Sequence, residues 1–290
     1  MSGQPIVWLN GGFVPLAEAC VPVLDRGFLL GDGVYEVIPA YGDRLFRLEA
    51  HLRRLEHSLE ATRIPFPFTP REWRELLEEL IGRNGGSDLS IYLQVTRGAA
   101  AHRDHAFPEG VEPTVFAMAT PIKPLPRRWL EEGISAVVLD DIRWERCDIK
   151  SISLLANVLL RQQALDADAQ EAILVRDGQA TEGAASNLFV VIDATVITPP
   201  KGHLLLPGIT RDLVLELAEE GGMAVAERPI EARELATADE IWVTSSTRRV
   251  LAVTRLDGRP VGEGRPGPLW TRIHAAYAAH VGRLRTEEPS

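Results

Sequence analysis

Residues 141–151 run Asp141-Ile142-Arg143-Trp144-Glu145-Arg146-Cys147-Asp148-Ile149-Lys150-Ser151, setting a lysine between a strand-like stretch at 142–144 and a helical stretch at 153–165. Lys150 is one of three lysines in 290 residues, with Lys123 and Lys201, although Lys and Arg together number 31. A composition that uses arginine wherever a surface cation serves keeps lysine where an amine is needed. Arginine stays protonated and cannot form a Schiff base, whereas a desolvated lysine loses its proton and attacks a carbonyl. The stretch 153–165 is apolar around most of its circumference, which predicts a buried helix and a setting that depresses the lysine's pKa. A solvated turn lysine fits the same residues. Lys123 beside prolines and Lys201 in Pro199-Pro200-Lys201-Gly202 fit that plainer reading better.

Outward from this stretch, strands and helices alternate without a repeat. Asn10-Gly11 between Val7-Trp8-Leu9 and Phe13-Val14 predicts a hairpin, because Asn and Gly take the positive φ of a type I′ turn. A second hairpin runs through 34–41, turns at Gly42-Asp43 and starts back at Leu45-Phe46. Alternation of Leu89, Ile91, Leu93 and Val95 with polar residues predicts a half-buried strand. Helical spacing appears at Leu48, Leu52, Leu55 and Leu59, and again at Trp73, Leu76, Leu77, Leu80 and Ile81. Prolines 121, 124 and 126 mark a linker, giving an N-terminal α/β domain at 1–121, a connection at 122–127 and a C-terminal α/β domain at 128–290. In the second domain, strands are predicted at 135–139 and 171–175, with a turn at Asp177-Gly178 and more strand through Thr198. A helix over 209–220 stops at Gly221-Gly222, and a last helix carries Trp270, Ile273, Tyr277, Val281 and Leu284 before a polar tail at 286–290 expected to fray.

The balance of 31 basic against 41 acidic side chains, net −10, repels polyanions and argues against a nucleic-acid partner. Cys20 and Cys147, both in apolar or strand-like surroundings, cannot build a disulfide framework, which fits a reducing, cytoplasmic setting. The longest apolar runs, such as 188–192, are far too short to span a bilayer, and 1–8 carries no leader pattern.

Several residues carry chemistry with a plainer alternative beside each. Gly208-Ile209-Thr210 opens the helix at 209–220, where free amides and the helix dipole make either an anion cradle or an ordinary cap. Thr244-Ser245-Ser246-Thr247 follows an apolar strand and is either a set of hydroxyl donors or a simple turn. Arg54, with His51 and Ser58, borders the apolar stripe of its helix and either reaches an anion from the core margin or lies exposed. Glu182, among small residues in 181–187, either pairs a buried cation or decorates a turn. His102 and His105 form a His-x-x-His with no third histidine nearby, and no metal site is expected.

Together these motifs resemble the fold-type IV aminotransferases over nearly the whole chain. The match includes Asp25-Arg26-Gly27, Gly31-Asp32-Gly33-Val34-Tyr35-Glu36, His51-Leu52-Arg53-Arg54-Leu55, Asp141 to Trp144, Cys147 to Ser151, Thr181-Glu182-Gly183, Gly208 to Asp212 and Val243-Thr244-Ser245. The resemblance implies a two-domain α/β (α+β) fold and the cofactor pyridoxal 5′-phosphate. It further implies that Lys150 forms the Schiff base, that Glu182 partners the ring nitrogen and that Leu206 packs on the ring. Phosphate contacts are implied for Arg54, Ile209, Thr210 and Ser246, and a contact to the cofactor for Ser245. A carboxylate beside the ring nitrogen favours the protonated ring, which draws electrons from a Cα carbanion.

Within the family, Arg103-Asp104-His105 is similar to the Arg-x-His of the D-amino-acid enzymes, where this pair and a tyrosine matching Tyr35 grip the substrate carboxylate. Tyr35 and Val37 share a strand face, so both line the expected pocket. A solvated charged loop is the alternative for Arg103 and His105. The resemblance therefore implies ping-pong transfer from a D-amino acid to a 2-oxo acid, in a homodimer whose gripping loop comes from the neighbour. An aminodeoxychorismate lyase, a branched-chain L-aminotransferase or an (R)-amine transaminase is the alternative on the same scaffold. The sequence departs from the pattern in two ways: Ala184 and Ala185 replace frequent serines, and Pro39 stiffens the strand beside the pocket.

Overall fold

The computed structural model describes residues 4–85 and 88–286, which excludes all of the polar tail but Thr286. The chain divides into two compact units, one holding the residues up to Lys123 with 149–153 and the end from Arg283, the other holding 124–148 and 154–282.

The first unit is an antiparallel sheet of β1 (Ile6–Leu9), β2 (Gly12–Pro15), β3 (Gly33–Tyr41), β4 (Arg44–Leu45), β5 (Asp88–Thr96) and β6 (Thr114–Pro121), in the order β2-β1-β6-β5-β3-β4. A short α1 (Arg26–Leu30) precedes β3, and α2 (Leu48–Thr62) and α3 (Pro70–Asn84) lie between β4 and β5. Both expected hairpins form, with positive φ at Asn10 and Gly11 and at Gly42 and Asp43; the second return strand is only two residues long. The alternation in β5 buries Leu89, Ile91, Leu93 and Val95 against the stripes Leu48, Leu52, Leu55 and Leu59 of α2 and Trp73, Leu77 and Leu80 of α3. Each such leucine contributes about 1.5–3 kcal/mol of burial. In β3 the same period turns Val34, Glu36 and Ile38 inward, fully buried, and leaves Tyr35 and Val37 half-buried on the other face.

Beyond the reach of β4, the free edge of β3 is taken by 149–153. Tyr35 N–H donates to the Lys150 carbonyl at 2.9 Å, Ile152 N–H to Gly33 at 3.0 Å, and Val34 bridges Ser151. Backbone pairing thus fixes the lysine's position along β3.

The second unit is a mixed sheet. Its strands are β7 (Ile134–Asp140), β8 (Glu171–Arg176), β9 (Gln179–Gly183), β10 (Asn187–Ile192), β11 (Thr195–Thr198), β12 (Ala224–Glu227), β13 (Ile230–Glu231), β14 (Glu240–Ser245), β15 (Arg249–Leu256) and β16 (Arg259–Pro260). They run in the order β12-β11-β10-β14-β15-β7-β8-β9-β13, with β16 on β15. Its helices are α4 (Arg127–Glu131), α5 (Leu155–Asp166), α6 (Ile209–Glu220) and α7 (Pro268–Thr286), the last of which counts with this unit up to Gly282. α6 has the expected bounds and ends at Gly221, and the Asp177-Gly178 turn joins β8 to β9 with positive φ at both residues.

Three expectations are corrected. Residues 142–144 form no strand; Arg143 points inward onto two carboxylates, and Ile142 and Trp144 turn outward. α5 is helical, but only Leu160 and Ala164 are buried, packed against β7 and β8, while Leu155, Val158, Leu159 and Leu165 face out. The sheet covers one side of this helix, and an apolar circumference does not reveal which sides find a partner. Neither cysteine lies in a strand: Cys20 is exposed in an irregular stretch, and Cys147 is buried in a turn with its thiol on the Trp144 carbonyl.

Candidate active site

In the first unit the backbone pins Lys150 on both sides, its N–H donating to Ser58 Oγ on α2 at 3.1 Å and its carbonyl accepting from Tyr35. Nζ reaches 4.2 Å from the centre of the Tyr35 ring. The electron-rich ring face receives the amine without hydrogen-bonding it. Tyr35 stacks on Tyr92, ring centres 5.6 Å apart, and Tyr92 O–H donates to Gln94 Oε1. Burial, reinforced by Tyr35, pushes the Tyr92 phenol up to about 12, so it remains a donor at neutral pH. Val37 shares the Tyr35 face of β3.

Arg54 lies on the opposite side of β3, where α2 meets the sheet. Its Nε and Nη2 fork onto Glu36 Oε1 and Oε2 at 2.8 Å, and His51 Nδ1 lies 2.8 Å from Oε2. Burial alone would raise the Glu36 carboxyl, but the Arg54 charge and the hydrogen bonds of Arg54 and His51 outweigh it and hold Glu36 well below the usual carboxylate range. An ionised carboxylate only accepts, so Nδ1 carries the proton. Burial depresses His51 and favours the neutral ring, leaving Nε2 as a buried lone pair without a protein partner among the described residues.

Arg103 and His105 project from an exposed loop whose backbone is tied down. Arg26, on α1, donates from Nη1 to the Asp104 and Ala106 carbonyls at 2.6 and 3.1 Å and from Nη2 to the His105 carbonyl at 3.4 Å.

In the second unit the carboxylate of Glu182 is buried at the centre of a donor set. Arg143 Nη1 donates to Oε1 at 2.5 Å, Asn187 Nδ2 to Oε2 at 3.0 Å, and the Leu206 N–H lies 3.2 Å from both oxygens. Asn187 also donates to the Leu206 carbonyl at 2.8 Å. Behind it, Arg143 forks onto Asp141 at 2.9 Å, and Arg176 donates to the carbonyls of Asp141 and Arg143. Burial would raise Asp141, but Arg143 and Arg176 hold it below its ordinary value. Cys147 is pushed up to about 11 by burial and is a neutral thiol here.

Leu206 leads through Pro207 into α6. Gly208 is its N-cap, with no side-chain cap, and Ile209 and Thr210 are buried in the first turn. A Cβ at Gly208 would collide with Asn187 Oδ1. Asn187 pairs Thr244 across β10 and β14, so the end of β14 and the following turn, with Ser245 and Ser246 half-buried, lie on the strand beside Asn187. Thr244 Oγ1 is buried with no protein partner among the described residues.

Each unit by itself carries donors that fit part of pyridoxal 5′-phosphate: the second a rigid buried carboxylate suited to a protonated ring nitrogen and an uncapped helix start suited to an anion, the first an amine on an aromatic face suited to a carbonyl. Sequence reasoning gave no role to Glu36, Asp141, Arg143 or Asn187. The available signal was charge inside apolar pattern: Glu36 sits on the inward phase of a strand, and Asp141 and Arg143 flank an isoleucine.

The family model for class IV amino-transferases matches residues 33–256. A D-alanine aminotransferase of Bacillus licheniformis is 44% identical over 270 residues, 93% of this chain and 95% of that protein. One from Listeria monocytogenes is 36% identical, covering 96% of each. Among solved structures, Escherichia coli branched-chain amino acid aminotransferase superposes with a TM-score of 0.92 at 30% identity, covering 99% of this chain and 97% of that one. A T.th. branched-chain amino acid aminotransferase, solved with pyridoxamine 5′-phosphate, gives 0.91 at 28% identity with the same coverage. The chain therefore belongs to the class IV aminotransferases, enzymes of fold type IV whose cofactor is pyridoxal 5′-phosphate.

Proposed function

We propose that this enzyme moves the amino group of a D-amino acid, D-alanine or D-glutamate among them, to a 2-oxo acid such as pyruvate or 2-oxoglutarate. The observation that carries the reading is the high identity to D-alanine aminotransferases along nearly the whole chain. Arg103 and His105, two residues apart on a tethered loop, add a cation and an imidazole suited to a carboxylate's two oxygens.

Pyridoxal phosphate supplies, when bound, an electron sink for the pair left at Cα as its proton departs. From the first unit, Lys150 Nζ would anchor the cofactor and, as a free amine, would take the Cα proton and later return one. Its backbone pairing to β3 and Ser58 limits the arc that Nζ sweeps. Arg54, whose Nε and Nη2 are held by Glu36, would contribute to phosphate binding. From the second unit, Glu182 would accept from a protonated ring nitrogen, Leu206 would lie against the ring, Ile209, Thr210 and Ser246 would hold the phosphate, and Ser245 would contact the cofactor. Tyr35 and Val37 line the substrate side.

The enzyme acts as a homodimer in which the Arg103–His105 loop serves the neighbouring copy's substrate. The exposed loop and the outward leucines of α5 support this reading. The free thiols of Cys20 and Cys147 suit a cytoplasmic setting. The structural likeness to branched-chain enzymes favours one rival, transfer from a branched-chain L-amino acid.

One experiment separates them: the visible absorption of the purified holoenzyme mixed separately with D-alanine, L-alanine and L-leucine. D-alanine should bleach the cofactor's long-wavelength band and release pyruvate. Bleaching by L-leucine or L-alanine alone would overturn the stereochemical assignment.

A further inference from the structure

We propose that Arg26, backed by Asp32, Arg97 and Phe107, is a positioning residue that sets substrate affinity by clamping the backbone of the loop that presents Arg103 and His105. The inference rests on the reading of those two side chains as the carboxylate grip.

The clamp follows from an imbalance of charge and donors. Arg26 and Arg97 are both buried and share one carboxylate: Arg26 Nε reaches Asp32 Oδ2 at 2.7 Å, and Arg97 Nε and Nη2 reach Oδ2 and Oδ1 at 2.8 and 3.0 Å. Burial would raise Asp32, yet the two guanidiniums hold it below its ordinary value. Two guanidiniums carry more N–H groups than one carboxylate accepts, and buried donors seek acceptors. Arg97 spends the surplus on the Thr62 and Arg63 carbonyls at the end of α2, at 2.7 and 2.9 Å. Arg26 spends its own on the successive carbonyls of Asp104, His105 and Ala106.

A loop without secondary structure otherwise has few ways to fix two adjacent side chains. Here the carbonyls turn inward to Arg26 while Arg103 and His105 remain exposed. The chain after them is pinned again, the Phe107 ring lying 3.7 Å beneath the Arg97 guanidinium and 5.0 Å from that of Arg63. Arg26 itself is rigid, because Asp25 caps α1 through the Gly27 N–H at 2.8 Å and accepts from Thr96 Oγ1 at 3.0 Å. Ordering the loop in advance removes a conformational cost from each substrate-binding event.

The test compares Arg26→Lys, which keeps the charge on Asp32 but cannot span three carbonyls, with Phe107→Ala, which acts on a half-exposed ring, and with Arg103→Ala. Steady-state kinetics with D-alanine and pyruvate are measured on each holoenzyme, alongside its visible spectrum. Both clamp variants should raise KM for D-alanine and pyruvate by about tenfold or more, with kcat within roughly threefold and an unchanged spectrum, in parallel with Arg103→Ala. If Arg103→Ala raises KM and neither clamp variant does, the clamp is wrong and the grip stands. If the clamp variants lower kcat at unchanged KM, Arg26 is merely structural and the proposal fails. If Arg103→Ala leaves KM unchanged, the grip reading fails and takes the clamp with it. Should Arg26→Lys not fold, Phe107→Ala decides by the same criteria.

Discussion

At the scale of single residues, Glu36 is a fully buried carboxylate with Arg54 and His51 around it. Removing one partner of a buried ion pair strands the other charge, so Glu36→Gln should lower unfolding free energy by about 3–5 kcal/mol in denaturant titrations. The acid dependence has a definite sign. His51 is depressed in the folded state, so below its ordinary 6.5 the unfolded chain binds a proton that the fold refuses, and stability falls with pH. Glu36 is likewise depressed, so its contribution is intact above its ordinary 4.5 and is lost as pH falls further. Melting temperature measured from pH 7 to pH 3 should therefore decline in two stages for the wild type, and Glu36→Gln should flatten the second. Equal slopes in the two proteins below pH 4.5 would show that Glu36 is not the group responsible. At Lys150 the expectation is chemical. Lys150→Ala should bind the cofactor without a borohydride-reducible linkage and lose about 10² to 10⁴ in kcat. A linkage that survives would move the anchor to Lys123 or Lys201.

At the scale of elements, legibility followed how local the deciding interaction was. The Asn10-Gly11 hairpin, the apolar stripe of α3 and the bounds of α6 depend on turn residues, period and stop residues, all of which are written within a few positions. The stretch 142–144 imitates a strand because Ile142 and Trp144 alternate with Arg143, but the inward residue is the arginine. Its partners Asp141 and Glu182 lie 2 and 39 positions away, and only folding brings the second one near. The same holds for Asn187, which joins Glu182 on β9 to the residue entering α6. That junction makes a sharp prediction about Gly208. Its missing side chain leaves room for Asn187 Oδ1, and Asn187 cannot swing aside without releasing Glu182 and Leu206. Gly208→Ala should cost about 1–3 kcal/mol of stability from overpacking. It should also weaken cofactor affinity in a spectral titration, whereas Gly202→Ala, which meets open space, should do neither.

At the scale of the whole molecule, the feature that one chain leaves unresolved is its exposed apolar surface. α5 presents Leu155 at 72% and Val158 at 60% exposure, together with Leu159, and α1 presents Phe28 at 73%. A sequence alone shows that 153–165 is apolar, and it is natural to infer burial; the structure shows that this chain buries only the Leu160 and Ala164 side. Large apolar side chains left in water on successive turns of a helix mark a surface that another molecule covers. In the homodimer proposed above, that molecule would be a second copy, which would also bring its loop to the substrate. Val158→Asp places a charge in this face at a side chain outside the buried set of the second unit, so the protomer should still fold. Sedimentation velocity at micromolar concentration should then show a dimer for the wild type and a monomer for the variant. D-alanine turnover should fall with it, because each site would lose the loop that the neighbour supplies. The net charge of −10 on each copy adds a further sign: low salt should loosen the wild-type dimer through mutual repulsion, and moderate salt should tighten it. A Val158→Asp enzyme that remains dimeric and fully active would assign the shared surface to another face and leave the outward leucines of α5 without this role.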